Sequence, residues 1–359
     1  MSIAHLQGSG NVIIGIDTHA DTHVAVAITD RGGRLDELAF NADPVGFARV
    51  DSWARSLGTP IAWGVEGTSS YGAGLSRHLT RTGAVVFEVN RTDRALRRRV
   101  GKTDPVDAEA AARAVLAGTA TAIPKTGDGP IEAIRVTRLV KRSAIKARTQ
   151  AINQLKALIV TAPDALRADL AGLTNPRLIN RCARLRPADT LQDPAAATRR
   201  ALRRLARRIQ HLTDEIDDLD AELTELVTAT APALLDEFGI GPDSAAALLI
   251  AAGDNPHRLH SEAAFAALCG TNPIPVASGK TGYHRLNRSG DRQANAALYR
   301  TVLTRLAYDP ETKAYIAARL AHGGANKKHL IRKLKRYLAR QLYPIILDAL
   351  TPTNAAHAA

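Results

Sequence analysis

Apolar and polar positions change period several times along the first 117 residues. The run Asn11-Val12-Ile13-Ile14-Gly15-Ile16-Asp17-Thr18-His19 is almost continuously apolar until it meets Asp17. Ile61-Ala62-Trp63-Gly64-Val65-Glu66-Gly67-Thr68 repeats that layout and reaches Glu66. Short apolar runs that stop at an acid predict buried strands, each delivering a carboxylate to its open end. The pattern predicts strands near residues 12–16, 23–29, 34–40, 60–66 and 84–89, with helices near 44–56, 71–82 and onward from Asp104.

Three strands, then helix, strand, helix, strand and helix is the order of ribonuclease H-like domains, so an α/β fold of that class is expected for residues 1–118. Gly118 to Pro130 is polar and contains Gly and Pro, which predicts a linker. Beyond it the pattern is helical. Leu202, Leu205, Ile209, Leu212, Ile216, Leu219, Leu223 and Leu226 are spaced alternately three and four apart, a coiled-coil seam. An earlier helix, from about Ile131 to Ile159, carries a weaker seam through Ile145, Ile152, Leu155 and Ile159. It is a partner within the chain, a contact between protomers, or both. Residues 119–230 are therefore expected to form a basic linker and coiled-coil helices, and residues 231–359 a separate helical domain. That domain opens with Gly239-Ile240-Gly241 between short helices, which resembles a helix-hairpin-helix element whose backbone amides grip a DNA phosphate. A polar loop from Pro273 to Arg285 and a last basic helix follow. The class is α/β plus all-α.

With 359 residues, 45% of them hydrophobic, the chain is long enough for two or three domains with real cores. No stretch approaches the roughly 18 apolar residues of a membrane span, and no basic-then-apolar leader opens the chain. A cytoplasmic location is expected, with no membrane partner. Cys182 and Cys269 stand apart without CxxC spacing, which argues against zinc and against a disulfide framework. The net charge of +13 points to a polyanion partner, nucleic acid above all. Aromatics make up only 4%, so grip on backbone and shape is favoured over base stacking.

That charge changes the meaning of the acids. Asp17, Glu66 and the Asp104/Asp107 pair, three apart on one helix face, form a candidate site for Mg²⁺, with Mn²⁺ as substitute. Two such ions roughly 4 Å apart steady the attacking and leaving oxygens of a phosphate displacement. Singly, each acid has a plainer explanation. Asp17 suits a strand-end turn, and Asp104-Pro105-Val106-Asp107 suits a helix start with a capping Asp and Pro at the first position. The four together, on alternating strands and a helix, favour the metal.

Candidate nucleic-acid contacts are Arg135, Arg138, Lys141, Arg142 and Lys146 on the first long helix and Arg203 and Arg207 on the second. Charge matching between the helices competes with a nucleic-acid groove. The groove is favoured because the bases outnumber the acids available to pair them. Lys327, Lys328 and Arg332 on the last helix extend the set. In the polar loop, Ser278 stands beside Gly279, with Lys280, Arg285 and Arg288 near enough in sequence to steady a phosphate. A serine nucleophile there would form a covalent phosphoserine link. Ser289 is a competing candidate.

Gly15-Ile16-Asp17-Thr18, Val65-Glu66-Gly67-Thr68, Lys102-Thr103-Asp104-Pro105-Val106-Asp107-Ala108, Gly239-Ile240-Gly241 and Ser278-Gly279 before a helix with Ala297-Leu298-Tyr299 resemble, in that order, the insertion-sequence family one-ten transposases. These are also described as bridge-RNA-guided DNA recombinases. The resemblance runs from about residue 11 to 350. It implies a RuvC-like, ribonuclease H-like domain holding Mg²⁺ at Asp17, Glu66, Asp104 and Asp107, a coiled-coil middle, and a C-terminal transposase domain with Ser278 as catalytic nucleophile. It also implies donor and target double-stranded DNA as substrates, a structured non-coding bridge RNA as partner, and a homo-oligomer, a dimer of dimers, that builds its site from different subunits. Two positions depart from the family pattern. Gly67-Thr68-Ser69-Ser70-Tyr71 follows Glu66 where Ala-Thr-Gly-x-Tyr is expected, and Asn295 stands where a basic residue is common. The alternative is a RuvC-like Holliday-junction endonuclease that uses the same metal site without a covalent step; it leaves the serine loop idle.

Overall fold

The computed structural model describes residues 10–89, 103–186, 190, 192–279, 281–323 and 326–351. Lys102 and Lys280 lie outside the described residues. The chain divides into two compact units, one of Met1–Gly129 with Ala252–His260 and the other of Pro130–Ala251 with Ser261–Ala359.

The first unit is built on a five-stranded sheet in the order β3-β2-β1-β4-β5. Its strands are β1 (Asn11–Thr18), β2 (Thr22–Thr29), β3 (Arg34–Asn41), β4 (Thr59–Glu66) and β5 (Val86–Val89). β1 pairs antiparallel with β2 and parallel with β4. Side chains alternate across a strand, so the apolar runs supply two cores. Ile14, Ile16, Trp63 and Val65 pack under α1 (Pro44–Leu57) and α2 (Ala73–Arg81), against Phe47, Val50, Leu75 and Leu79. On the other face Ile13, Val26, Ile28 and Ala62 meet the small residues Ala108, Ala111 and Ala112 of α3 (Asp104–Leu116). α1 starts where its sequence says it should: Pro44 is in the first turn, and the Asp43 side chain accepts from the backbone N–H of Gly46 at 2.7 Å.

The stretch expected to be a linker is bonded into this unit. The Ala122 carbonyl accepts from the Glu88 amide on the edge strand at 2.7 Å, and the Ile123 and Pro124 carbonyls accept from Arg258 Nε and Asn255 Nδ2 at 2.7 and 3.0 Å. Asn255 and Arg258 lie more than 130 residues on, which explains why local sequence does not announce them.

The second unit is helical, with one small hairpin. α4 (Pro130–Val160) and α7 (Pro194–Thr230), about 45 and 55 Å long, lie along each other. They run antiparallel, since Lys141 meets Asp220 while Ala151 and Leu155 share a core with Leu202, Ala206 and Ile209. On α7 every seventh residue, Leu202, Ile209, Ile216 and Leu223, is buried, whereas Leu205, Leu212, Leu219 and Leu226 are half-buried. On α4 the buried stripe runs through Ile131, Ile134, Arg138, Lys141, Ala144, Ala151 and Leu155. Ile145, expected in the seam, is exposed. α5 (Asp164–Leu170) and α6 (Asn175–Ala183) add Leu166, Leu170, Leu178 and Cys182 to the core near the start of α7.

The chain then continues through α8 (Pro232–Leu235), α9 (Pro242–Ala252), α10 (Glu262–Leu268), β6 (Pro273–Ser278), β7 (Thr281–Leu286), α11 (Arg292–Tyr308), α12 (Pro310–Ala321) and α13 (Lys327–Leu350). The polar loop expected around Ser278 is therefore a β-hairpin. Pro273, Pro275, Gly279 and Gly282 read as loop punctuation, but a two-stranded sheet has only edge strands, where proline costs no ladder bond on its free side. Cys182 and Cys269 are both buried core thiols, and burial pushes them up to about 11 and about 12. No helix among the described residues is long and apolar enough to cross a membrane.

Candidate metal centre and nucleic-acid interface

Strand alternation aims the first two acids. Ile13, Gly15 and Asp17 share one face of β1, and Ala62, Gly64 and Glu66 share the same face of β4. The parallel register sets Gly15 against Gly64 and Ile16 against Val65, so the next pair in register is Asp17 and Glu66. Thr18 Oγ1 ties the strand ends together by donating to the Glu66 carbonyl at 2.9 Å. The glycines then admit α3. A Cβ on Gly15 would stand 2.0 Å from the Ala108 carbonyl oxygen and 2.3 Å from the Ala112 amide nitrogen; one on Gly64 would stand 2.8 Å from the Ala111 carbonyl oxygen. With no side chain in the way, the helix rests directly on the strands, and its first turn carries Asp104 and Asp107 to their C-terminal ends.

His19 joins these acids. Its Nε2 lies 3.3 Å from Asp17 Oδ2 and 3.4 Å from Asp104 Oδ1, and one donor atom from each of the three residues falls within 4.8 Å of the others. Asp17 and Asp107 are buried, Glu66 is half-buried and Asp104 is exposed. Burial pushes the Asp17 carboxyl above its usual range; the charges of Asp107 and Asp104 push the same way, and His19 pulls back only in part. Carboxylates that crowd one another in this way suit a hard divalent cation, and oxygen donors with one imidazole match Mg²⁺ or Mn²⁺. Sequence reasoning named the four acids and passed over His19. Its signal was present: a histidine two residues beyond the first acid, on the turn that leaves the strand.

In the second unit Ser278 ends β6 at the tip of the hairpin, exposed. It pairs with Thr281 of β7, and Gly279 after it has φ +57°, a conformation that favours glycine. Ser289 is held differently, its hydroxyl donating to Asn287 Oδ1 at 2.6 Å. Arg285, on β7, and Arg288 are exposed. A cleft of about 360 Å³ beside the hairpin is lined by His284, Arg285, His329, Arg332, Lys333 and Lys335 among others. Asn295 has a structural task. Its Nδ2 donates to the Cys269 and Gly270 carbonyls at 2.8 and 3.1 Å, while its Oδ1 accepts from Lys335 Nζ at 2.8 Å. Where a basic residue was expected on α11, the amide instead orients a lysine from α13.

Two nominated phosphate contacts are corrected. Arg138 and Lys141 are buried, 5% and 6% exposed. Arg138 donates from Nε and Nη2 to the two oxygens of Asp243 at 3.0 and 3.2 Å, and Lys141 pairs with Asp220. Arg300 closes on Asp243 from α11 at 2.8 Å. Burial alone would push the Asp243 carboxyl up, but Arg138, then Lys141 and Arg300, hold it below its usual range. These bases fall on the inward stripe of α4, so they pair inside the fold. Arg135 pairs with Glu132 on the surface; Arg142, Lys146, Arg207, Lys327, Lys328 and Arg332 are exposed, and Arg203 is half-buried.

A family model described as Transposase matches residues 14–162, which contain all four acids and His19. A second, for the Transposase IS116/IS110/IS902 family, matches residues 231–317, which contain the serine hairpin. No curated protein matches the chain.

Proposed function

Because the chain belongs to the IS110 family of transposases, enzymes that act on DNA, we propose that it is a Mg²⁺-dependent DNA recombinase that exchanges strands through a covalent link to Ser278. The observation that carries this reading is the convergence of Asp17, Asp104 and Asp107 at the end of β1, with Glu66 beside Asp17 in register. A bound Mg²⁺, or Mn²⁺, supplies charge neutralisation to a phosphate under attack. Asp17, Glu66, Asp104 and Asp107 would hold it, carried by the ends of β1 and β4 and the first turn of α3.

Ser278 offers an exposed hydroxyl at the end of β6. Its oxygen bonds to phosphorus as a deoxyribose oxygen leaves; the serine proton is lost and the leaving oxygen gains one. The reverse step with the hydroxyl of another strand completes the exchange. Arg285, Arg288 and the cleft bases steady the DNA backbone, joined by Arg142, Lys146, Arg207, Lys327, Lys328 and Arg332. Lys280, outside the described residues, belongs to the same set on sequence grounds.

On this reading residues 1–118 are a RuvC-like domain, 119–230 a basic linker and coiled coil, and 231–359 the transposase domain. Gly239-Ile240-Gly241, with Gly239 at φ +83°, serves as a helix-hairpin-helix-like phosphate grip. A structured non-coding RNA pairs with donor and target DNA, for which the net charge of +13 is suited. The half-buried Leu205, Leu212, Leu219 and Leu226 support assembly of protomers into a dimer of dimers through the coil. The protein would work at the bacterial nucleoid.

The test is strand exchange by wild type, Asp17→Asn and Asp104→Asn on labelled DNA, with binding followed in parallel by gel shift. Loss of exchange with binding retained supports the metal centre; undiminished exchange in both variants overturns it.

A further inference from the structure

We infer that His19 is itself a ligand of the divalent ion, and that its imidazole biases the site toward Mn²⁺ over Mg²⁺. The inference rests on the metal-centre reading above and extends it to a residue outside the four acids.

The first argument is geometric. Around a six-coordinate ion with bonds of about 2.1 Å, neighbouring donors stand about 3.0 Å apart and opposite donors about 4.2 Å. His19 Nε2 stands 3.3 Å from Asp17 Oδ2 and 3.4 Å from Asp104 Oδ1, and all three donors lie within 4.8 Å of one another. Small movements bring the set onto one ion.

The second argument is support. The His19 backbone N–H donates to Nδ1 of His23 at 3.3 Å. The His23 ring is fully buried, stacked on Phe47 at 6.1 Å and edge-on to Phe40 at 5.4 Å. The accepting Nδ1 leaves that ring's proton on Nε2. A packed aromatic ring thus anchors the turn that presents His19, as ligand-bearing segments are commonly held.

The third argument is chemical. Mg²⁺ takes oxygen donors and keeps its waters, whereas Mn²⁺ accepts an imidazole nitrogen more readily. A histidine among carboxylates is therefore a selectivity element as well as a ligand. The competing role is a plain ion pair, an imidazolium bridging Asp17 and Asp104 with no bond to metal.

The experiment uses full-length protein without a polyhistidine tag, loaded with less than one equivalent of Mn²⁺ and read by electron spin echo. Wild type should show nitrogen modulation from a directly bound imidazole, and His19→Gln should lose it. His19 is half-exposed, so the variant keeps the core, and circular dichroism checks this. Calorimetric titration with each metal should show the preference for Mn²⁺ over Mg²⁺ falling on the order of tenfold in His19→Gln. Mn²⁺ bound with no nitrogen modulation, in a manner abolished by Asp17→Asn but indifferent to His19→Gln, overturns the ligand role and leaves the carboxylate centre standing. Failure to bind Mn²⁺, or binding indifferent to Asp17→Asn, overturns the centre and this inference with it.

Discussion

Gly15 and Gly64 lie side by side across β1 and β4, and α3 rests on both. That contact brings a helix start and two strand ends to one place. Gly15→Ala would set a Cβ against backbone atoms of Ala108 and Ala112, which cannot swing aside as a side chain can. We expect a loss of at least about 2 kcal/mol in chemical denaturation, with Mn²⁺ binding lost even where folded protein remains. Wild-type stability and metal binding in this variant would mean that α3 does not depend on the close approach.

Asp17 should destabilise the metal-free protein. Its folded-state pKa is raised, so its protonation favours folding; that contribution is complete below 3.8 and is lost as the pH rises through the raised value. Asp17→Asn should therefore raise the melting temperature at neutral pH by roughly 2–4 °C, or about 1 kcal/mol, while abolishing strand exchange. The gain should shrink to nothing as the pH falls through the raised value. Equal melting at neutral pH would contradict the crowding of the acids.

Asp243 has the opposite sign. Its carboxyl is held below the usual range, so the stability it contributes is present above 3.8 and is lost as the pH falls through the lowered value. Asp243→Asn leaves Arg138, 5% exposed, with an uncompensated charge. We expect a cost of about 2–3 kcal/mol, below the usual figure for a fully buried pair because Asp243 keeps 37% of its side chain in water. Urea denaturation at neutral pH measures it, and a change under about 0.5 kcal/mol would remove the pair as a structural element.

The cleft beside the hairpin should grip phosphate. Arg285→Ala with Arg332→Ala should weaken DNA binding and lower the slope of log affinity against log salt by about 2, one for each phosphate contact removed. Arg138→Lys, by contrast, should leave the slope unchanged, because that base is buried against Asp243. An unaltered slope in the double variant would place the backbone contacts elsewhere.

The acids were legible because strands have period two and end where the apolar run ends; Asp17 and Glu66 then had to face one way together. The approach of Asp104 and Asp107 to Asp17 was legible through α3. His19 was passed over because its signal, a histidine two residues past the first acid, is positional rather than periodic. Arg138 and Lys141 were misread because their partners, Asp243 and Asp220, lie 105 and 79 residues away. The hairpin under Ser278 was hidden by prolines that only an edge strand tolerates. The misread ion pairs are tertiary contacts that local pattern cannot supply.

The most direct test of the account is a denaturing gel of full-length protein with Mg²⁺, its element's RNA and end-labelled donor and target DNA. Wild type should yield a protein-linked DNA band that disappears in Ser278→Ala. Free nicked DNA, formed equally by both proteins, would contradict the serine link and leave the carboxylate centre as the whole of the active site.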